Sequence, residues 1–296
     1  MIIEGQESVT AAVRQAMAAT PDPRLRQVMD ALVRHAHAFV REVRPTEEEF
    51  EFGLDFLAAI GKANTPAHNE AVLFSDAIGV STLVCLLNNG QDGATETAAA
   101  LLGPFWRDNS PETPEGGSIL RGPTPGPKLF ARGRVQGPDG APVAGARVDV
   151  WQASPEGMYE NQDPGQADMN LRGRFTTDAE GGFRFVSVRP AGYPVPTHGP
   201  VGALLRAQDR HPFRPAHLHF LVHKPGFKTL VTQVFVDDDE HLETDVVFGV
   251  TRALVGGFER HEGPAPDGST DGPWYSLGYA FTLEPGEAPL PRPPIA

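Results

Sequence analysis

Gly133-Arg-Val-Gln-Gly-Pro-Asp139-Gly140-Ala-Pro142-Val-Ala-Gly145-Ala146-Arg-Val148-Asp-Val150 is the stretch that decides the fold. Two short alternating runs, Ala131 to Gln136 and Ala146 to Trp151, flank Pro138-Asp139-Gly140. Pro presets φ there, and Asp and Gly accept the conformations a tight turn needs. The grammar continues downstream. Gly182 to Val188, Ala216 to His223 and Thr229 to Val236 are further short runs, and Glu180-Gly181-Gly182 is another turn spacer. Many short strands with regular turn signals predict a β-sandwich over residues 106–296. The Pro-rich end, Pro285 to Ala296, is expected to run extended over the surface.

Upstream of about residue 105 the pattern is helical, so the fold class expected is α+β with an N-terminal helical domain, residues 1–105. Thr46-Glu-Glu-Glu49 has the form of a capping box, followed at helical spacing by Phe50, Leu54 and Leu57. Asp22-Pro23 starts an earlier helix that carries Leu25, Met29, Leu32, Ala36 and Phe39 on one side. A third helix is expected from about Pro66 to Leu87, stopping at Asn88-Asn89-Gly90. On it Leu73, Asp76 and Val80 share a face by offsets of three and four.

The 296 residues allow one large domain or two smaller ones with ample core. A net charge of −13 argues against nucleic acid or an anionic membrane as partner. One cysteine, Cys85, excludes a disulfide framework and a Cys-rich zinc site. The start, MIIEGQESVT, has no basic region followed by an apolar run, and no stretch of 18 or more apolar residues is present. The expectation is a soluble cytoplasmic protein with no membrane span.

The chemistry centres on His217-Leu-His219. Phe213 to His223 reads as one strand, and strand residues two apart share a face. Two imidazoles side by side form a bidentate metal seat; hydrogen-bonded histidines are the alternative. His35-Ala-His37 carries no such weight, because on a helix its side chains diverge by roughly 200°. Two of the four tyrosines, Tyr159 and Tyr193, lie in turn-rich segments, where sites are commonly built. Tyr275 and Tyr279 read as part of a core strand. Asp237, Asp238, Asp239 and Glu240 offer carboxylates for a ferrous two-His-one-carboxylate site, or form a solvated turn.

The opening hairpin resembles those of transthyretin-like sandwiches, which supports the fold and leaves function open. Over nearly its whole length the chain resembles the intradiol ring-cleaving dioxygenases, most of all the hydroxyquinol 1,2-dioxygenases. The order Tyr159, Tyr193, Arg214, His217, His219 carries the resemblance. So do Leu73-Phe-Ser-Asp76-Ala-Ile-Gly79-Val-Ser81, Leu102-Gly103-Pro104-Phe105, Asn170-Leu-Arg-Gly173, Tyr193-Pro-Val-Pro-Thr197 and Val247-Phe248-Gly249-Val250. Pro155-Glu-Gly-Met158 and His198 depart from the commoner family wording without removing a ligand.

The resemblance implies one mononuclear non-haem Fe(3+) per subunit, held by Tyr159, Tyr193, His217 and His219. It implies O2-dependent cleavage of a small aromatic diol or triol between its two hydroxylated carbons. Tyr193 is implied as the ligand that is released and takes a proton, Arg214 as the cation over the ring, and Gln233 as an orienting amide. Leu73, Asp76, Gly103, Pro104, Phe105, Val195, Pro196 and Val247 are implied as pocket wall. There Asp76 would accept a hydrogen bond from a third ring hydroxyl, and a site built for that hydroxyl discriminates against catechol. The N-terminal helices are implied as a homodimer contact enclosing a phospholipid-like ligand; their apolar stripes also suit an ordinary core. Hydroxyquinol, benzene-1,2,4-triol, is thus the expected substrate, yielding 3-hydroxy-cis,cis-muconate and its tautomer maleylacetate. Catechol or chlorocatechol 1,2-dioxygenase is the same-class alternative, and a non-catalytic transthyretin-like binding module the different-class one.

Overall fold

A computed structural model describes residues 2–65, 68–89, 97–287 and 289–294. The chain divides into two compact units, residues 1–59 and 60–296. Composition changes near residue 105, but compactness divides the chain earlier, because the helices after residue 69 pack with the elements that follow them.

In the first unit, α1 (Gln6–Met17) and α2 (Pro23–Val43) pair. Arg14 forms an ion pair with Asp30, and Thr10 Oγ1 meets His37 Nδ1 at 2.9 Å. α1 falls in the region expected to be helical, although no individual helix was assigned there. Asp22 caps α2 by accepting from Leu25 N at 2.8 Å. α3 (Glu47–Lys62) begins with the reciprocal capping box: Thr46 N donates to Glu49 Oε2 at 2.8 Å and Glu49 N to Thr46 Oγ1 at 3.2 Å. The apolar stripes are not an ordinary core. Leu25, Leu32 and Phe39 of α2, and Phe50, Leu54 and Leu57 of α3, are all exposed.

The second unit opens with α4 (Glu70–Ala77) and α5 (Val80–Asn89), bent by 77° where one continuous helix was expected. Gly79, at φ +75°, makes the break. Val80 therefore starts a new helix, exposed, and does not share a face with Leu73 and Asp76. The expected limits Pro66 and Gly90 lie outside the described residues.

Eleven strands are present among the described residues. A four-stranded sheet has the order β10 (Phe258–His261), β11 (Trp274–Thr282), β1 (Lys128–Gln136), β4 (Gly182–Val188). A five-stranded sheet has the order β3 (Arg172–Thr176), β2 (Arg147–Gln152), β7 (His217–His223), β8 (Leu230–Val236), β9 (Val255–Gly256). β5 (Tyr193–Pro194) and β6 (Phe213–Arg214) form a two-stranded ribbon. One core draws on both large sheets: Leu129, Val135, Phe183, Phe185, Leu277 and Phe281 from the first, and Val148, Val150, Phe175, Leu218, Phe220 and Val234 from the second. Tyr275 and Tyr279 on β11 pack against it.

A short helix, α6 (Pro200–Ala207), follows β5 and was missed by the sequence reading. Buried Glu70, at the start of α4, accepts from Val201 N at 2.8 Å and meets His68 Nε2 at 2.5 Å. That carboxylate ties α4 to the N-terminus of α6, where the helix dipole favours negative charge. Among the described residues, no single helix is long and apolar enough to cross a membrane.

Candidate metal and active site

Alternation along β7 builds the site. Leu218, Phe220 and Val222 enter the core between the sheets, so the odd residues face the other side of the five-stranded sheet. There His217 and His219 are buried, with Nε2 atoms 3.1 Å apart. Cross-strand register places Trp151 on one side of His219 and Gln233 on the other. The Trp151 indole stacks on the His219 ring at 4.7 Å and 9°.

The expected strand from Phe213 to His223 is interrupted. β6 ends at Arg214, Pro215-Ala216 break the pairing, and β7 starts at His217. The break removes the strict alternation that would turn Arg214 away. Arg214 pairs across the ribbon with Tyr193, whose ring is 5.6 Å from that of His217. Tyr159 comes from the turn after β2. Its ring is 5.6 Å from that of Tyr193, 6.3 Å from that of His219, and stacks on Phe105 at 4.2 Å. Arg172 of β3 braces this corner, donating from Nε to Glu160 Oε1 at 2.6 Å and from Nη1 to Phe105 O at 2.5 Å. Two imidazoles and two phenols from three separate segments thus converge.

Burial dominates the electrostatics. It pushes His217 down to about 3, helped by the Arg214 charge, and carries His219 well below its ordinary value, helped by His217 and Arg214. Both imidazoles are therefore neutral, the ligating form. Burial and the neighbouring Tyr193 raise the Tyr159 phenol well above its usual range. Burial works against the Arg214 charge, but Asp245 together with Tyr193 and Tyr159 outweighs it and holds the guanidinium protonated. Asp245 in turn is held below the usual carboxylate range, because Arg214 and the amides of Val247 and Gly249 together outweigh the effect of its burial.

This cluster suits a hard cation. His217 Nδ1 donates to Pro215 O at 2.7 Å, so its Nε2 carries a lone pair aimed at His219 Nε2. Tyr159 Oη is buried and meets no partner in hydrogen-bonding geometry. Such an orphaned oxygen is costly, and a trivalent cation would satisfy it while favouring the phenolate. Among the described residues, no group of three or more His, Cys, Asp or Glu side chains converges in ligating positions. The oxygens beside these imidazoles are phenols. The Asp237–Glu240 run supplies none: Asp237 accepts from Phe258 N, Asp238 pairs with Arg189, and Asp239 accepts from Ala216 N.

Leu73, Val195 and Val247 join one apolar cluster with Val201, Leu205 and Val246. Gly103, at φ +71°, lies against His219: a Cβ there would come within 3.3 Å of the ring. Pro104 and Pro196 are exposed. Asp76 is half-buried; burial raises its pKa, and the Ser81 hydroxyl and the Arg214 charge offset part of that rise. Gln233 is fully buried, accepting from Arg214 Nη2 at 3.0 Å and donating to Leu101 O at 2.6 Å. The sequence reading missed Trp151 and Asp245. Alternation against Val148 and Val150 could have placed Trp151 on the site face. No pattern singled out Asp245, which meets Arg214 through the fold.

A sandwich with phenol and imidazole ligand types gathered on one outer sheet face defines a narrow class of protein, and comparison with known proteins reaches the same class. The dioxygenase family model matches residues 101–284, and the model for the N terminus of catechol dioxygenases matches residues 22–96. The hydroxyquinol 1,2-dioxygenase of a Rhizobium species is 44% identical over 88% of this chain and 90% of its own length. The solved structure of hydroxyquinol 1,2-dioxygenase from Pseudomonas putida aligns with TM-score 0.88 at 39% identity, over 95% of this chain and 99% of that one. That of catechol 1,2-dioxygenase from Pseudomonas arvilla aligns with TM-score 0.80 at 30% identity, over 95% and 93%. The chain belongs to the intradiol ring-cleavage dioxygenase family.

Proposed function

We propose that this protein cleaves benzene-1,2,4-triol with O2 between its two adjacent hydroxylated carbons, giving 3-hydroxy-cis,cis-muconate and hence maleylacetate. The observation that carries the reading is the convergence of Tyr159, Tyr193, His217 and His219, with the Tyr159 hydroxyl buried and meeting no partner in hydrogen-bonding geometry. In this reading those four residues hold one Fe(3+) per subunit. When bound, the ferric ion supplies Lewis-acid activation of the adjacent diol oxygens toward O2.

The chain's own residues do the rest. Tyr193, on the ribbon opposite Arg214, is placed to receive a proton from a substrate hydroxyl. Arg214 stays cationic and presents Nη1 toward the imidazoles, where it stabilises negative charge developing on the ring. Gln233 orients Arg214 through its amide oxygen. Leu73, Val195 and Val247 exclude water from one wall, and Phe105 packs against the ring of Tyr159. Gly103 gives the wall room beside His219, with Pro104 and Pro196 at its exposed margin. Asp76, near enough to Arg214 to feel its charge, accepts a hydrogen bond from the third hydroxyl. The higher identity to the hydroxyquinol enzyme than to the catechol enzyme among the solved structures supports that substrate.

Purified protein should be reddish and contain one iron per chain; Tyr159→Phe or Tyr193→Phe should shift or bleach the colour. Iron-free, colourless protein from iron-replete cells would sink the reading and favour a binding module. Turnover of benzene-1,2,4-triol should exceed that of catechol. Asp76→Ala should narrow that ratio, and an unchanged ratio would remove Asp76 from substrate choice. The exposed apolar side chains of α2 and α3 support a homodimer contact with a phospholipid seat. Light scattering and mass spectrometry of extracted lipid test both.

A further inference from the structure

Arg214 has five N–H donors, and its partners leave few of them free. Nε donates to Asp245 Oδ1 at 3.2 Å, and Nη2 donates to Asp245 Oδ2 at 3.1 Å and to Gln233 Oε1 at 3.0 Å. Three donors are thereby used, and of the two on Nη1 one points to the His217 Nε2 lone pair and the other remains. Nη1 is the nitrogen that faces His217, 3.4 Å from its Nε2.

Asp245 is as fully engaged. Besides the two bonds from Arg214, Oδ1 accepts from Val247 N at 3.3 Å and Oδ2 from Gly249 N at 2.9 Å. All four acceptor positions of the carboxylate are filled, and the residue is 4% exposed. The approach is tight: a Cβ on Gly249 would lie 2.9 Å from Arg214 Nη2 and 3.1 Å from Asp245 Oδ2. Phe248, inside the same turn, holds φ +57°, a left-handed conformation that a bulky residue keeps only when its surroundings impose it.

The loop is also fixed from its other side. Arg210 donates to Ala77 O at 2.7 Å and to Val246 O at 2.9 Å, and its guanidinium lies 4.9 Å from the Phe248 ring centroid. Thr82 Oγ1 donates to Val247 O at 3.0 Å. One five-residue loop is therefore bonded to α5 through Thr82, bridged by Arg210 to the helix α4 that carries Leu73 and Asp76, and joined through a single carboxylate to the cation beside His217.

We infer that Asp245 is the positioning residue for Arg214: with Gln233 it occupies three guanidinium donors, turns Nη1 toward the site, and links that orientation to the Val247 wall. The inference rests on the proposed role of Arg214. A carboxylate that only neutralised a buried cation would need neither the side-on fork nor the two loop amides.

The test is a double-mutant cycle on the iron-loaded full chain with benzene-1,2,4-triol. Asp245→Asn turns an acceptor into an amide whose N–H groups oppose the Arg214 and loop donors. It should lower kcat by about 10- to 100-fold with a smaller change in KM. Anaerobic substrate binding, read from the visible absorption, should stay within about threefold. On an Arg214→Ala background the same change should cost less than about twofold in kcat. Losses that multiply would show that Asp245 acts independently of Arg214 and overturn the inference. An Arg214→Ala variant of unchanged kcat would overturn the Arg214 role and this inference with it. A large Arg214→Ala loss beside an unimpaired Asp245→Asn variant would overturn the inference alone.

If Asp245→Asn does not fold, as judged by its melting curve, Gly249→Ala serves. Its methyl pushes on Nη2 with the carboxylate still in place. It should reproduce the kcat loss with iron content unchanged, and full kcat in folded Gly249→Ala would overturn the inference.

Discussion

The two faces of the five-stranded sheet are both buried, yet they are built on opposite terms. The inner face is hydrocarbon: Val148, Val150, Phe175, Leu218, Phe220 and Val234 meet the phenylalanines of the facing sheet. The outer face of the same strands carries Trp151, His217, His219 and Gln233, covered by the segments that bring Phe105, Tyr159 and Tyr193. Apolar burial stabilises the first face whatever else is bound. The second holds neutral imidazoles, a phenol with no partner in hydrogen-bonding geometry and a cation held by Asp245 and Gln233, the polar groups that the proposed metal would complete. A single alternating strand, β7, serves both.

The two faces should part most sharply at the proposed ligands. His219→Ala should reduce bound iron to background and abolish ring cleavage while the sandwich stays folded; metal analysis and circular dichroism on one sample check this. The mirror experiment is Phe220→Ala, one residue away on the inner face. It should cost about 3–5 kcal/mol of stability by leaving a cavity among Phe183, Phe185 and Phe281. Protein that remains folded should keep its iron. If denaturant melts show His219→Ala to be the more destabilised of the two, the division between the faces fails.

Gly103→Ala probes the lid of the outer face. The backbone there is left-handed and the added methyl would press on the His219 ring. Iron affinity should fall by about 10- to 100-fold, the range for groups that orient a ligand, as measured by chelator competition.

The smallest effect is electrostatic. Burial raises the pKa of Asp76 in the folded state, so ionising it costs more there than in the unfolded chain. Its contribution to stability is full below the unfolded value near 3.8 and is lost as pH rises through the folded value. Asp76→Asn should therefore melt higher than the parent at neutral pH, with the difference closing as pH falls toward 4. A constant difference across that range would remove the cost assigned to this carboxylate.

The sandwich was readable because its strands alternate and its turns use Pro, Asp and Gly, and His217-Leu-His219 was readable as a pair because the strand period is two. Other features depend on events that pattern does not encode. The break at Gly79 lies inside an apolar run whose periodicity continues through it, so two helices read as one. The Pro215-Ala216 break could be suspected from the odd offset of Arg214, but where its guanidinium would turn could not. Glu70 and Asp245 are single acids in mixed-polarity segments. Their partners, Val201 N and Arg214, are 131 and 31 residues away in sequence. Assigning the tyrosines to the histidines needed the family resemblance; spacing alone left each an ordinary loop tyrosine.

The parallel pairing of β1 with β11 has a consequence for how the chain is made. It joins Leu129 to Tyr275 and Gln136 to Thr282, so the four-stranded sheet cannot close until the chain has been made through Thr282. The five-stranded sheet is complete in sequence by Gly256, with all four proposed metal ligands already present. Contacts between residues so distant form slowly. A nascent chain emerging from the ribosome thus holds the proposed ligands before β11 arrives to close its core.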